Sequence, residues 1–341
     1  MTRILQAMAG AHHGGAEAFF ERLAGGLHRA GEEQKIVIRR DPERVARLRR
    51  AGLEPVELVF GGRFDFTTKP KLRRIIAAFQ PRVVLTWMGR ATHLCPRGDF
   101  VHVARLGGYY DLRYFRHCDH LVANTHALQA WLVAQGWAKD RVHYLPNFAD
   151  VIEARPVARV SLDTPDDAPV ALALGRLHRN KGFDVLLAAL ARAPGLYLWL
   201  AGEGELEAAL KRQVAMLGLS GRVRFLGWRQ DVPALLAACD MLVCPSRSEP
   251  LGNTILEAWA ARRPVVAAAS SGPAELIVDG KTGLLVPIED ADGLAAAMTR
   301  VAQDKARASD LAAGGHAAYQ AQFGEAHVVA AYRDFVATVA R

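Results

Sequence analysis

The 341-residue chain has little of what holds small or secreted folds together. It contains four cysteines, Cys95, Cys118, Cys239 and Cys244, and none stands in a C-x-x-C pair. No histidine-rich stretch completes a zinc site around Cys239 and Cys244. A disulfide scaffold and a zinc ribbon are thereby excluded, and scattered thiols point to a reducing compartment. Long hydrophobic runs are missing too, since nothing approaches the ~20 apolar residues of a membrane span. The apolar stretch at residues 4–11 is only strand length. His12, His13, Gly14, Gly15 and Glu17 follow it at once, so it reads as a first buried strand and not as a signal peptide.

What is present is enough apolar material for a folded chain throughout. Hydrophobic residues make up 51% and charged residues 23%, so no segment need be disordered. The length suits two domains of ordinary size. The net charge of +8 is uneven. Residues 1–150 carry 23 Lys and Arg against 14 Asp and Glu, net +9, and residues 151–341 carry 20 against 21, net −1. Arg44, Arg47, Arg49 and Arg50 cluster, as do Lys69, Lys71, Arg73 and Arg74. Two readings stay open: solvated helix faces, or a basic face for an anionic membrane leaflet or acceptor. Nucleic acid is not expected, because no nucleic-acid motif accompanies the charge.

Strand and helix patterns alternate along the chain. Strands are expected at residues 3–8, 35–38, 55–60, 83–86, 101–106, 120–123 and 142–145, with a helix over 16–30. Runs such as Val83-Val84-Leu85 are apolar without alternation, as parallel strands buried on both faces require. Residues 146–169 hold four prolines and four aspartates without a clear period, and mark the linker. Beyond it, strands are expected at 170–174, 196–200, 223–225, 241–244 and 265–268, with helices at 182–192, 205–216 and 254–261. The last ~35 residues are Ala-rich and helical by pattern. Two blocks of βαβ units predict two doubly wound parallel sheets, with ligands at the carboxyl ends of their strands.

Two segments could carry chemistry. In Ala173-Leu-Gly-Arg-Leu-His-Arg-Asn-Lys-Gly182 a buried strand ends at Gly175, Arg176 follows, and Lys181 stands just before a helix. That combination makes an anion site, with Gly175 allowing close backbone approach; ordinary surface charge is the plain alternative. In Pro245-Ser-Arg-Ser-Glu-Pro-Leu-Gly-Asn-Thr-Ile-Leu-Glu-Ala258, seven residues separate Glu249 from Glu257. Asn253 is a good N-cap, which would put Glu257 in the first helical turn and Glu249 in the loop outside it. The N–H groups of Leu251, Gly252, Asn253 and Thr254 would suit a phosphate, and the carboxylates would suit hydroxyls of ribose and sugar. Glu257 has an alternative as a complement to the helix dipole. Glu249 has no such structural use on sequence grounds.

Gly175-Arg176 with Lys181-Gly182, followed by Glu249-x7-Glu257, resembles the donor-site signature of glycosyltransferase family 4. Gly202-Glu-Gly204, Phe225-Leu-Gly-Trp228, Pro245-Ser246, Arg263-Pro-Val-Val266, Gly272-Pro-Ala-Glu275 and Thr282-Gly-Leu-Leu-Val286 follow in family order. Gly14-Gly15-Ala16-Glu17 matches the family's first turn. The resemblance implies the α/β GT-B fold, two Rossmann-like doubly wound parallel-sheet domains facing a central cleft. Residues 1–160 would form the acceptor-side domain and 161–322 the donor-binding domain, with a helix at 323–341 packing back on the first. It implies a retaining, metal-independent transferase that moves a sugar from a UDP- or GDP-sugar to an acceptor hydroxyl, without any resident cofactor. Arg176 and Lys181 would hold the diphosphate and stabilise the leaving group. Glu249 would touch the donated sugar and Glu257 the ribose. Gly15 would approach the distal phosphate, and Gly227 and Trp228 would lie near the base. The expected partners are the nucleotide sugar, a glycan or lipid-linked acceptor of lipopolysaccharide type and an anionic membrane surface. The expected location is cytoplasmic, peripheral on the inner membrane face.

Many relatives carry a His at the end of a first-domain strand. Here the corresponding positions are Leu106, Gly107 or Gly108, while His102 comes too early and is expected to pack on its strand. Residues 107–111 would be either part of an acceptor pocket or a plain turn. Asp290-Ala-Asp292 reads as a helix start and not as a metal motif. Gly202-x-Gly204 lacks the third glycine of a dinucleotide fingerprint, which is Glu207 here, and its acids would repel a pyrophosphate. His12-His13 lacks a metal-ligating companion, and Asp119 and Asp240 sit structurally at strand starts. The alternatives in function are another GT-B nucleotide-sugar enzyme, such as an epimerase, and a non-catalytic sugar-nucleotide-binding protein.

Overall fold

The computed structural model describes residues 2–12, 14–62, 64–150 and 152–340. The chain divides into two compact units: Met1–Phe148 with Gly324–Arg341, and Ala149–Phe323. Among the described residues the first unit holds a seven-stranded sheet. Its strands are β1 (Ile4–Met8), β2 (Gln34–Arg39), β3 (Val56–Leu58), β4 (Val83–Trp87), β5 (Val101–Leu106), β6 (His120–Ala123) and β7 (Val142–Tyr144). They lie in the order β3-β2-β1-β4-β5-β6-β7, each pair parallel. Crossovers use α1 (Gly15–Arg29), α2 (Pro42–Arg50), α3 (Thr68–Phe79), α4 (Met88–Leu94) and α5 (His126–Ala134). β1 and β4 are buried along their whole length, which is why, apart from Gln6 and Thr86, they are apolar and do not alternate. The apolar stripe of α1, with Phe19, Phe20, Leu23 and Leu27, is its core face.

The second unit holds β8 (Val170–Leu174), β9 (Tyr197–Ala201), β10 (Val223–Gly227), β11 (Met241–Cys244), β12 (Val265–Ala268) and β13 (Leu284–Val286). Their order is β10-β9-β8-β11-β12-β13, again all parallel. Helices α6 (Phe183–Ala191), α7 (Glu207–Met216), α8 (Val232–Ala238), α9 (Asn253–Ala260), α10 (Ser271–Leu276), α11 (Ala291–Gln303) and α12 (Lys305–Gln322) cover the two faces. Apolar clusters lie on either side of this sheet, one with Leu186, Leu198 and Met298, the other with Trp199, Leu242 and Trp259. The order in which strands are added reverses between β1 and β4 in the first unit and between β8 and β11 in the second. Such switch points leave a crevice outside the carboxyl ends of the strands. The chain then returns to the first unit as α13 (Glu325–Val339), whose Val328, Val329, Tyr332, Phe335 and Val336 enter the core that α1 helps to build.

The basic cluster on α2 departs from the reading as one solvated face. Arg44 is 1% exposed. Its guanidinium donates to Glu21 at 3.0 Å and to the carbonyls of Ala11 and His12 at 2.6 and 3.1 Å, and pairs with Asp41 at 3.1 Å. Arg47 pairs with Glu21 at 2.6 Å and Arg49 with Glu54 at 3.1 Å. Arg44 is thus a brace holding the turn between β1 and α1. Arg44→Ala should cost about 3 kcal/mol in urea unfolding, because it strands carboxylates and carbonyls out of water. Arg44→Lys should recover little, since an ammonium cannot reproduce the planar fork. A loss below about 1 kcal/mol would show that the brace is not needed.

Candidate functional site

Two loops meet at the switch point of the second sheet. The first leaves β8 at Gly175, forms a short 3-10 turn over Arg179–Lys181 and enters α6 through Gly182. The second leaves β11 at Pro245 and enters α9. They are in direct backbone contact. Gly182 has φ +65°, and a Cβ there would stand 2.1 Å from the Pro245 carbonyl oxygen. The Ser248 amide donates to the Asn180 carbonyl at 3.2 Å. Arg247 completes the joint. It donates to the Arg179 carbonyl at 3.0 Å, to both Asp184 oxygens at 2.7 Å and to Glu289 at 2.5 Å. Its hydrogen bond holds the Asp184 carboxyl below the usual range, against the opposing effect of burial. Nothing in the sequence marks Arg247, whose partners lie about 60 and 40 residues away and require the fold to be known.

Lys181 and Glu249, one from each loop, form an ion pair through Nζ and Oε2. Their side chains are 25% and 14% exposed. Burial works to lower the Lys181 pKa, but the charge and hydrogen bond of Glu249 outweigh it and hold the ammonium above its ordinary value. This corrects the expectation that Glu249 lacks a structural use. Its carboxylate neutralises Lys181, and its carbonyl accepts from the Gly272 amide at 2.8 Å and the Ser271 hydroxyl at 3.1 Å. Arg176 is exposed on the same loop, and its charge acts on Lys181.

The start of α9 also departs from expectation. Gly252, left-handed at φ +97°, is the N-cap, and Asn253 is the first helical residue. Asn therefore does not cap the helix, and Glu257, half-buried, falls in the second turn. The physical reason is that glycine enters the left-handed region freely, which turns the chain from the loop into the helix one residue early. Leu251 and Gly252 are buried, and Asn253 and Thr254 half-buried. The N-cap residue, Gly252, brings no side-chain cap to this helix start, and the positive end of a helix dipole suits an anion.

The neighbouring strand ends frame these loops. The amides of Gly175 and Gly202 donate to the carbonyls of Ala201 and Gly227 at 3.0 and 2.7 Å, so β8, β9 and β10 stay joined past their last regular residues. A Cβ at Gly202 would lie 1.9 Å from the Gly175 oxygen. The Gly202-x-Gly204 motif is therefore a crossing of loops. Trp228, 48% exposed, stands just beyond β10, its amide donating to Glu203 at 3.3 Å.

In the first unit, Gly15 is the first residue of α1, at the switch point between β1 and β4. Glu17 folds back into this turn and accepts from the Ala11 amide at 2.8 Å. At the end of β5 stand buried Leu106 and then Gly107 and Gly108, with no histidine. His102 is within the strand, 3.0 Å from the Thr86 hydroxyl, and burial lowers its pKa to about 4, so it is neutral near pH 7. Residues 107–111 lead into a 3-10 turn that Asp111 caps by accepting from the Arg113 amide at 3.0 Å, and exposed Tyr109 packs edge-on to Trp131. Asp119 accepts from the His102 amide and Asp240 from that of Val170, at 2.8 and 2.7 Å, both structural. Asp290 caps α11, and Asp292 pairs with Arg192 at 2.9 Å. His13 lies outside the described residues. Among the described residues the four cysteines are free thiols, and no helix is long and apolar enough to cross a membrane.

Comparison with known proteins covers both units. The family model for Glycosyltransferase Family 4 matches residues 13–153, and that for Glycosyl transferases group 1 matches residues 168–304. The lipopolysaccharide core biosynthesis glycosyltransferase LpsE of Rhizobium meliloti is 39% identical over 335 residues, 95% of this chain and 96% of its own. LpsD of the same organism, also a lipopolysaccharide core biosynthesis glycosyltransferase, is 35% identical over 94% of each chain. Among solved structures, Anabaena HepE in complex with UDP and glucose superposes with a TM-score of 0.84 at 22% identity, over 99% of this chain and 100% of HepE.

Proposed function

The chain belongs to glycosyltransferase family 4 and is a GT-B glycosyltransferase; from that premise we propose that it transfers a sugar from a UDP- or GDP-sugar to a hydroxyl of a lipopolysaccharide-core or related envelope glycan. The observation that carries this reading is the Lys181–Glu249 pair beside the glycine-capped start of α9. A diphosphate entering there would meet the Lys181 ammonium, the Arg176 guanidinium and the first amides of α9, all of them donors. Binding would draw Lys181 toward phosphate and release the Glu249 carboxylate to accept from hydroxyls of the donor sugar. Glu257, one turn into the same helix, would accept from the ribose, and Trp228 would flank the base.

As the bond to the anomeric carbon breaks, negative charge builds on the leaving phosphate. Lys181 and Arg176 stabilise that charge more than the ground state, which is what lowers the barrier. The departing phosphate oxygen takes the acceptor's proton, attack comes from the same face, and the configuration is retained without a metal. The envelope-glycan acceptor is supported by the names of the two Rhizobium relatives and by the +9 charge of residues 1–150, which suits an anionic acceptor held at the inner membrane surface.

A thermal-shift screen with UDP, GDP and their sugars, without divalent metal, tests the donor assignment. One nucleotide family should raise Tm, because binding to the native state stabilises it by mass action. A shift seen only after metal is added would overturn the metal-free reading, and no shift with any nucleotide sugar would sink the donor site.

A further inference from the structure

The loop after β3 exposes apolar surface that the fold does not use. Phe64 is 83% exposed and Phe66 78%. They are not loose ends. Asp65, between them, accepts from the amides of Gly61, Thr67 and Thr68 at 2.7, 3.0 and 3.0 Å and from the hydroxyls of both threonines. Burial works to raise the Asp65 pKa, but these bonds outweigh it and hold the carboxyl well below the usual range. Thr68 accepts in turn from the Phe60 amide at 2.9 Å. The carboxylate is thus tied inward, and the rings on either side of it are held outward.

The helix that follows adds charge in an unfavourable place. Its inner face is Thr68, Leu72 and Ile76, one turn apart. Lys69, Lys71, Arg73 and Arg74 lie outside that face and are all exposed. Residues 64–80 contain these four cations and one acid, the occupied Asp65. Lys69 and Lys71 sit in the first turn of α3, where the helix dipole repels cations; that turn holds no acid, and the one carboxylate at the helix start, Asp65, is occupied by backbone amides and threonine hydroxyls. Lys69 and Arg73 are four apart, a like-charge pair on adjacent turns. In water each of these features is a cost: two bare rings, two misplaced lysines, one repelling pair. An anionic surface with an apolar interior reverses the sign of all of them.

We infer that the loop carrying Phe64 and Phe66, with the cationic outer side of α3, is the surface by which this enzyme docks on an anionic lipid bilayer, the rings entering the acyl boundary and the four cations meeting lipid phosphates. The inference rests on the reading of a membrane-held acceptor, and it replaces the α2 cluster, whose Arg44 is buried, as the basic contact.

Vesicle flotation of the full-length protein tests it. The parent should float with mixed phosphatidylglycerol–phosphatidylcholine vesicles and not with phosphatidylcholine alone. Phe64→Ser with Phe66→Ser should weaken binding at least about tenfold, and changing Lys69, Lys71, Arg73 and Arg74 to Gln about 100-fold. Both variants should keep the parent's nucleotide-sugar thermal shift, which shows that they fold and separates failure of docking from failure of the donor site. The inference is overturned if the parent ignores anionic vesicles or if either variant floats like the parent. It is equally overturned if the Phe64/Phe66 variant keeps binding but dissociates a dimer or loses transfer to a soluble acceptor, which would give the rings to a second copy or to the glycan.

Discussion

Lys181→Ala is expected to lower kcat/KM by about 10²–10³, the scale seen when one preorganised donor to a developing anion is removed. The same change leaves the Glu249 carboxylate unpaired in a largely buried position, so it should also cost about 2 kcal/mol of stability. Adding Glu249→Gln to Lys181→Ala separates the two effects. The double variant should regain much of the stability, because the stranded charge is gone, and none of the activity. Full recovery of turnover in the double variant would mean that Lys181 serves only to neutralise its partner. The pH dependence has a definite sign. The folded pKa of Lys181 is raised, so the pair's contribution is complete below the unfolded value of about 10.4 and is lost as pH rises through the folded value. The stability gap between the parent and Lys181→Ala should therefore be flat between about pH 6 and 9 and narrow only above about 10.4, as Tm measured across that range would show.

The second large effect concerns backbone crossing. Gly202 has φ +146°, a Cβ there would lie 1.9 Å from the Gly175 oxygen, and its amide is fixed to the Gly227 carbonyl at 2.7 Å. Neither residue can give way, because the obstacle is backbone. Gly202→Ala should cost about 4 kcal/mol or more, or prevent folding. Gly195 and Gly218 provide the comparison. They have φ +81° and +66°, and a Cβ at either would meet nothing within 4 Å, so Gly195→Ala and Gly218→Ala should cost only about 1 kcal/mol each. Urea denaturation measures all three. Equal losses would show that left-handed strain alone matters and that the crossing adds nothing.

Legibility in the sequence follows burial. Residues 101–106, 120–123, 170–174, 241–244 and 265–268 are strands with the expected ends. Apart from His102 and Arg105 in β5 and His120 at the start of β6, these are apolar runs stopped by a turn or polar residue, as a parallel strand between two helix layers must be written. The bounds of α2 and α3 are not legible, because their cations mask short inner faces such as Thr68, Leu72 and Ile76. At the site, residue types and loops can be read, and pairings cannot. Lys181 and Glu249 are 68 residues apart, and only the β8–β11 adjacency brings them together. Arg44 misleads for the same reason: Asp41 is local, but Glu21 and the carbonyls of Ala11 and His12 come from distant turns of the chain, so a guanidinium among arginines looks solvated when it is enclosed. The expected cap of α9 falls one residue late because Asn is the better cap by chemistry, while Gly252 prevails by backbone geometry.

The placement of α13 has a consequence for how the molecule is made. Synthesis proceeds from the N-terminus, and domains ordinarily fold as they emerge. Here the first unit lacks Val328, Val329, Tyr332, Phe335 and Val336 of its core until the final helix has left the ribosome. The second unit, continuous from Ala149 to Phe323, can be complete while the first still has an open apolar groove beside α1. The first-made unit is thus the last to close, and until then its groove leaves apolar surface open to water.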